Sequence, residues 1–320
     1  MTERNGVRTM RFTVILEPFT IEVYNLERNK ETSEWEEFLV WSTFKHSFCF
    51  TETGNGLDHS IILALNKEAT SKFVGFGEQG GQSLCKNTTQ VNYFNFDNMR
   101  YMQVYNKGPL DSREPLYHSE PIFFEYNRVP EQAFVNAMFL DNPGQVLMDV
   151  GYDNSKRLLV GTRFGDFDFY VFMGDNTASI IESFTSVVGR SNLKPRYVLG
   201  YQQGCYGYER REIAEWAVQK HRDYQIPLDG LHVDVDIQQD YRTFTIDTWK
   251  FPNPKDFFGN LRQKGVKCST NITPVISCKN GDRSYSTYAE GLDRDYFVKD
   301  WRYDPHDSDA KVYQLYGGGH

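Results

Sequence analysis

The sequence predicts a β-sandwich followed by the opening strands of a parallel β/α domain, and three observations predict it. Short alternating apolar runs fill the first half of the chain, the period changes to helical spacing after Thr177, and a strand-helix-strand-helix-strand rhythm begins after Pro195. A length of 320 residues is enough for two hydrophobic cores, or for one domain and part of another.

The first strands are marked by Phe12, Val14 and Leu16 alternating with polar neighbours, and by Phe19, Ile21 and Val23 after Pro18. Further runs cover 38–44, 60–65, 72–76, 121–126, 133–140, 146–150, 158–162 and 167–172. Turn residues separate them, among them Asn55-Gly56, Asn142-Pro143-Gly144 and Gly174-Asp175-Asn176. Many short strands with a period of two and such punctuation are the pattern of two packed sheets. Residues 77–120 break it, being polar and rich in Gly, Asn, Asp and Tyr, and they predict one long loop. A loop of that length in a compact domain is usually functional or disordered.

Ile180, Phe184 and Val187 or Val188 then fall at helical spacing, closed by Gly189. The linker-like Ser191-Asn192-Leu193-Lys194-Pro195 sets the boundary between a sandwich domain over 1–190 and a second domain over 191–320. In the second domain strands are expected at 197–202, 231–237 and 266–273, with helices at 212–224 and 254–264. The first of these helices is expected to bury Ile213, Trp216, Ala217 and the stem of Lys220, and Pro227 follows its end. This rhythm fits a (β/α)8 barrel or an open parallel sheet. Three strands are too few to close a barrel, so on the barrel reading the sequence is truncated inside its second domain.

Composition excludes several functions. A net charge of −8 and the absence of Lys/Arg clusters argue against nucleic acid, whose phosphates demand clustered cations. The longest apolar runs, 60–65 and 169–173, are far shorter than the ~20 residues of a membrane span, so no membrane association is expected. Met1-Thr2-Glu3-Arg4-Asn5 and the polar residues through Thr9 lack the apolar stretch of a secretory signal, and an intracellular setting is expected. Five scattered cysteines without a Cys-x-x-Cys pair predict reduced, mostly buried thiols. Aromatic residues make up 15%, which a sandwich core and cross-strand pairs account for, although aromatic faces also stack on sugar rings.

The candidate chemistry lies on the second parallel strand. Leu231, Val233, Val235 and Ile237 alternate with His232, Asp234 and Asp236, so a period of two puts both carboxylates on one face, about 7 Å apart. Such a pair is costly unless hydrated, paired or reserved for a ligand. One alternative is a structural ion pair with Arg242 or His232. Another is a metal-dependent glycosyltransferase, since Asp234-Val235-Asp236 fits the Asp-x-Asp motif that holds a divalent cation, for which oxygen ligands are suited. No phosphate-cradling Gly-rich loop precedes a helix, which counts against that alternative.

The motifs Pro195-Arg196-Tyr197-Val198-Leu199-Gly200-Tyr201, Cys205-Tyr206-Gly207-Tyr208 and Ile226-Pro227-Leu228-Asp229-Gly230 lead into His232-Val233-Asp234-Val235-Asp236, then Phe244-Thr245 and Phe251-Pro252. In this order they resemble the opening of the catalytic barrel of glycoside hydrolase family 31. Gly75-Phe76-Gly77-Glu78 and Phe94-Asn95-Phe96-Asp97 resemble that family's sandwich domain and substrate-facing loop. The resemblance implies a galactose-mutarotase-like β-sandwich, with the long loop over 77–120, followed by a truncated (β/α)8 TIM barrel. It is closest to the α-1,4-glucan lyase branch: Cys205 and Thr273 stand where hydrolases of the family carry Arg and the Asp of an Asp-Pro pair. The segments at 95–99, 111–119, 268–277 and 316–319 also look like glucan lyases.

By that resemblance Asp234 would bond hydroxyls of the non-reducing glucosyl unit, Val235 would line the same pocket, Tyr206 would pack on the sugar, and Asp97 would reach toward the neighbouring subsite. Asp236 is expected to be a structural partner. The implied ligand is an α-1,4-glucan or maltooligosaccharide, and no cofactor is implied. The family's nucleophile belongs to a Trp-x-Asp-Met type motif that does not occur here, so no catalytic residue falls within these residues and the chain alone is expected to be inactive. The neighbouring alternatives are an α-glucosidase and, from another class, a non-catalytic carbohydrate-binding domain; the latter has no need of the segment after Pro195.

Overall fold

The computed structural model describes residues 2–4, 7–29, 31–52, 59–81, 83–93, 118–129, 132–174 and 176–299. The chain divides into two compact units, Met1–Arg190 and Ser191–His320.

Alternating sequence makes the first unit a sandwich. Its strands are β1 (Thr2–Arg4), β2 (Val7–Leu16), β3 (Phe19–Arg28), β4 (Trp35–Glu52), β5 (His59–Asn66) and β6 (Lys72–Gly75). They continue as β7 (Thr89–Tyr93), β8 (Ile122–Val129), β9 (Gln132–Asp141), β10 (Val146–Val150), β11 (Arg157–Thr162) and β12 (Asp168–Gly174). One antiparallel sheet runs β1-β2-β3-β4-β5-β11-β10-β7, and the other runs β12-β9-β8-β6. Both sheets feed one core. Leu63, Leu65, Val91, Val146, Met148 and Val160 come from the larger sheet and Phe73, Phe123, Met138 and Leu140 from the smaller. The motif at Gly75-Phe76-Gly77 is three successive left-handed residues, with φ of 109°, 70° and 69°. Glycines on either side make this turn feasible, and a side chain at Gly77 would collide with the Glu120 backbone at 2.8 Å. The turn buries Phe76 completely, stacked on Phe123 at 5.1 Å.

The outer face of the four-stranded sheet is covered by α1 (Thr177–Val188). Ile180 packs with Ala137 and Phe172 there, and Phe184 meets Phe139 edge-on at 5.3 Å. Asn176 caps this helix by accepting the Ser179 N–H at 3.0 Å, and Gly189 ends it at φ 92°.

Two expectations for this unit need correction. The stretch 77–120 is not one continuous loop, because residues 89–93 form β7, which pairs with β10 along its whole length. Thr89, Val91 and Tyr93 supply the inward apolar and small positions, a three-residue alternation too short to stand out from polar neighbours. The thiols are also not mostly buried: Cys49, Cys85 and Cys205 are exposed, and Cys268 and Cys278 half-buried.

The second unit holds β13 (Gln202–Cys205), β14 (Gly230–Val233) and β15 (Lys267–Thr270), all parallel and in that order, with α2 (Arg211–Asp223), α3 (Pro254–Gln263) and α4 (Ser286–Asp293). The register aligns Gln203, Leu231 and Cys268 on one face and Gly204, His232 and Ser269 on the other. Leu231 and Val233 pack with Ala217 and Val218 of α2 and Phe257 and Leu261 of α3. The opposite face carries a polar row: His232 Nε2 lies 3.3 Å from Gln202 Oε1, and its Nδ1 lies 2.6 Å from Ser269 Oγ.

Three details differ from expectation. The first strand does not start at 197: Arg196–Leu199 is a single turn of 3-10 helix, and Leu199 is fully outside any core at 80% exposure. Helix α2 buries Ala214, Ala217 and Val218, while Ile213 and Trp216 lie outward, Trp216 at 60% exposure. Small side chains on the sheet-facing stripe let the helix sit close to the strands, and Trp216 lies against Lys220 instead. The second strand stops at Val233, not at 237, with consequences for the site. Among the described residues no helix is long and apolar enough to cross a membrane.

Candidate functional site

The carboxyl ends of parallel strands are where β/α folds build their sites, because the loops there are free to vary. Cys205 and Val233 are register partners at the ends of β13 and β14. Tyr206 and Asp234 are therefore each the next residue beyond a paired end, on neighbouring strands about 5 Å apart. Asn271 follows in the same way from β15, its N–H bonded to the Val233 carbonyl at 3.0 Å.

Asp234 keeps an extended backbone and then caps a 3-10 turn over Val235–Ile237, with Oδ1 accepting the Val235 N–H at 2.7 Å. It is half-buried, and its second carboxylate oxygen has no partner among the described residues. The turn breaks the period of two. Asp236 does not share the face of Asp234; it is buried at 4% exposure, accepts the Gly207 N–H at Oδ2 (3.2 Å) and the Tyr241 hydroxyl at Oδ1 (3.4 Å). One carboxylate thus clasps the loop after β13 to the loop after β14, and the other is left at the mouth.

The structural alternative for the pair does not hold in its expected form. Arg242 binds Asp282 at 2.6 Å, and His232 bonds Ser269 and Gln202. Hydrogen bonds from the Ser284 side chain and backbone, with Arg242 next, draw the Asp282 carboxyl down to about 2. Nor do the two aspartates converge with further ligands, since among the described residues no three His, Cys, Asp or Glu side chains are grouped to hold a metal ion.

Aromatic side chains frame the mouth. Tyr206 is 70% exposed and neighbours Tyr241, whose phenol is pushed up first by the nearby Tyr206 and then by Asp236. Lys250 lies 5.7 Å over the Tyr241 ring, and its Nζ reaches the Asp236 carbonyl at 3.5 Å. Asp240, Tyr241 and Phe244 adopt left-handed φ of 51°, 56° and 67°. Non-glycine residues in that region cost about 1–3 kcal/mol each, and such strain gathers at functional sites. Tyr241 and Lys250 were not among the site residues expected from sequence; the only prior signal was the placing of Phe244-Thr245 within a family motif. Asp97 lies outside the described residues.

The sequence matches two family models. Residues 4–149 match the glycosyl hydrolase 31 N-terminal galactose mutarotase-like domain, and residues 191–314 match the glycosyl hydrolases family 31 TIM-barrel domain. The chain belongs to glycoside hydrolase family 31, comprising its mutarotase-like sandwich and the start of its barrel. It is 29% identical to alpha-glucosidase 2 of Bacillus thermoamyloliquefaciens, over 90% of this chain and 33% of that protein. It is 28% identical to alpha-xylosidase 1 of Arabidopsis thaliana, over 90% of this chain and 29% of that protein. Its fold is shared with a family 31 dextranase of Flavobacterium johnsoniae solved with isomaltotriose, at a TM-score of 0.76 and 21% identity, covering 98% of this chain and 34% of that one. The chain spans about a third of the length of the curated relatives it first matches.

Proposed function

We propose that the chain is the N-terminal part of an exo-acting enzyme that breaks α-1,4-glucosidic bonds of starch, glycogen and maltosaccharides from the non-reducing end, in the α-1,4-glucan lyase branch of family 31. In this reading 1–190 is the sandwich domain, the polar segments on either side of β7 within 77–120 face the substrate, and 191–320 opens the barrel. The observation that carries the reading is the carboxylate of Asp234 at the mouth of the parallel strands, one oxygen without a partner among the described residues and exposed Tyr206 at the neighbouring strand end. Asp234 accepts hydrogen bonds from hydroxyls of the terminal glucosyl unit. Val235 lines the pocket, Tyr206 lays its ring on the sugar, and Asp97 reaches the adjoining subsite.

Chemistry in such enzymes needs two further carboxyl groups about 5–5.5 Å apart, one attacking the anomeric carbon and the other protonating the leaving oxygen. In a lyase the covalent glucosyl-enzyme then loses its C2 proton to a base, expelling the enzyme carboxylate and giving 1,5-anhydrofructose; water must be kept from the anomeric carbon. Cys205, exposed at the end of β13, and Thr273, beyond β15, support the lyase outcome, since neither supplies the charge that hydrolases of the family place there.

A hydrolytic α-glucosidase is the second reading, favoured by the names of the similar curated proteins. The product decides between them: maltose digested by the full-length parent yields 1,5-anhydrofructose under the first reading and only glucose under the second. Asp234→Asn in that parent is expected to lower kcat/KM by about 10–150-fold, the equivalent of ~1.5–3 kcal/mol for a hydrogen bond to a charged group. Activity equal to wild type would remove Asp234 from the site. The 320-residue chain alone is expected to release neither product.

A further inference from the structure

We infer that Asp236 is a positioning residue: its buried carboxylate fixes the angle at which Tyr206 presents its ring at the mouth of the parallel strands. That role rests on the reading above, in which the ring lies on the sugar. Asp236 acts through Tyr206 and not on substrate, being 4% exposed where Tyr206 is 70% exposed.

Tyr206 needs such support. It stands between two anchored residues. Cys205 lies at the paired end of β13, and Tyr208 is buried in the core of the second unit, its hydroxyl accepting the Gln203 amide at 2.9 Å. Between Tyr206 and Tyr208 comes Gly207 at φ 117°, a backbone region that glycine enters and leaves freely. A glycine joint on its own would let the neighbouring ring swing. The Gly207 N–H is instead tied down, donating to Asp236 Oδ2 at 3.2 Å. From the other side Tyr241 neighbours Tyr206, and its hydroxyl donates to Asp236 Oδ1 at 3.4 Å. Tyr241 itself sits at φ 56°, a strained conformation that persists only where its surroundings hold it.

A carboxylate is the group this geometry demands. Two neutral donors approach from two different loops, and each takes its own oxygen. An asparagine has one acceptor oxygen and would turn its NH2 toward the second donor. A charge buried between neutral donors costs more than apolar packing would. What it supplies here is a fixed direction for both loops at once, and the exposed side chain held between them is Tyr206.

The test is a double-mutant cycle in the full-length parent, read as the rate of maltose consumption so that lyase and hydrolase chemistry count alike. Asp236→Ala is expected to lower kcat/KM by about 5–20-fold, mostly through KM, and Asp236→Asn by less. In a Tyr206→Ala background the same Asp236→Ala change should cost less than about twofold. Gly207→Ala keeps the test alive should Asp236→Ala not fold, because a Cβ there meets nothing within 4 Å among the described residues and only the backbone is strained. Its loss of activity should likewise vanish without the Tyr206 ring. These outcomes support the positioning role. An equal fold-loss in both backgrounds overturns it, since a clasp that only holds the loops together does not depend on the ring; so does the absence of any loss in Asp236→Ala. Wild-type activity in Tyr206→Ala alone overturns it as well, and in that case it is the sugar contact of Tyr206 that has failed.

Discussion

Glu125 sits on β8 between Phe123 and Asn127, on the strand face that points into the sandwich core, and only 4% of it is exposed. Its Oε1 accepts the Ser71 hydroxyl at 2.6 Å and its Oε2 accepts the Asn136 amide at 3.2 Å. Burial raises its pKa; the Ser71 and Asn136 hydrogen bonds and nearby Lys67 oppose the rise, and Glu68 adds to it. In the unfolded chain the same group titrates in the ordinary carboxylate range. Below that range both states hold the proton and nothing is lost. As pH climbs through the window between the two pKa values, the unfolded chain sheds a proton that the fold retains. Stability then falls by about 1.4 kcal/mol per pH unit until the folded value is passed.

Glu125→Gln removes that loss while keeping an acceptor for Ser71, and its new amide can donate to Asn136 Oδ1, a buried atom without a partner among the described residues. Thermal melts of wild type and variant at pH 4, 6 and 8 read the difference directly. The expectation is equal Tm at pH 4, with the variant ahead at pH 8 by about 2–4 °C for each kcal/mol regained. A variant whose Tm is lowered by the same amount at all three values would refute the account, because its deficit would then be one of packing and not of charge.

Asp236→Ala strips the Gly207 N–H and the Tyr241 hydroxyl of their shared acceptor and is expected to cost about 1–3 kcal/mol in urea denaturation, with Asp236→Asn recovering part of it. Ile180→Ala, under α1 with no exposure, should cost about 2–4 kcal/mol in the same experiment. Alkylation by iodoacetamide at pH 8, followed by mass spectrometry, should label exposed Cys49, Cys85 and Cys205 quickly. Cys268 should lag well behind, because burial pushes its thiol up to about 11.

Where a strand owes its existence to one apolar face, the sequence declared it. Ten of the sandwich's runs announced themselves through positions such as Leu63 and Leu65 or Met148 and Val150, whose period is the pleat itself. Strand β7 did not, because its outward residues Gln90 and Asn92 are as polar as a loop. The same limit governs the site. Asp234 was legible from its place after Leu231 and Val233, but alternation was carried two residues too far, through a turn that no hydropathy pattern marks. Trp216 misled for a related reason. Size suggested burial, whereas the sheet accepted the smaller Ala214 and Ala217.

The position of α1 in the chain bears on the order of assembly. Every segment that covers the four-stranded sheet, on either side, has been translated by the time Arg190 is joined. At ~5–20 residues per second, seconds pass before β15 leaves the ribosome. The sandwich can therefore be a finished body while the parallel strands are still emerging, and the nascent chain need never expose both apolar cores at once.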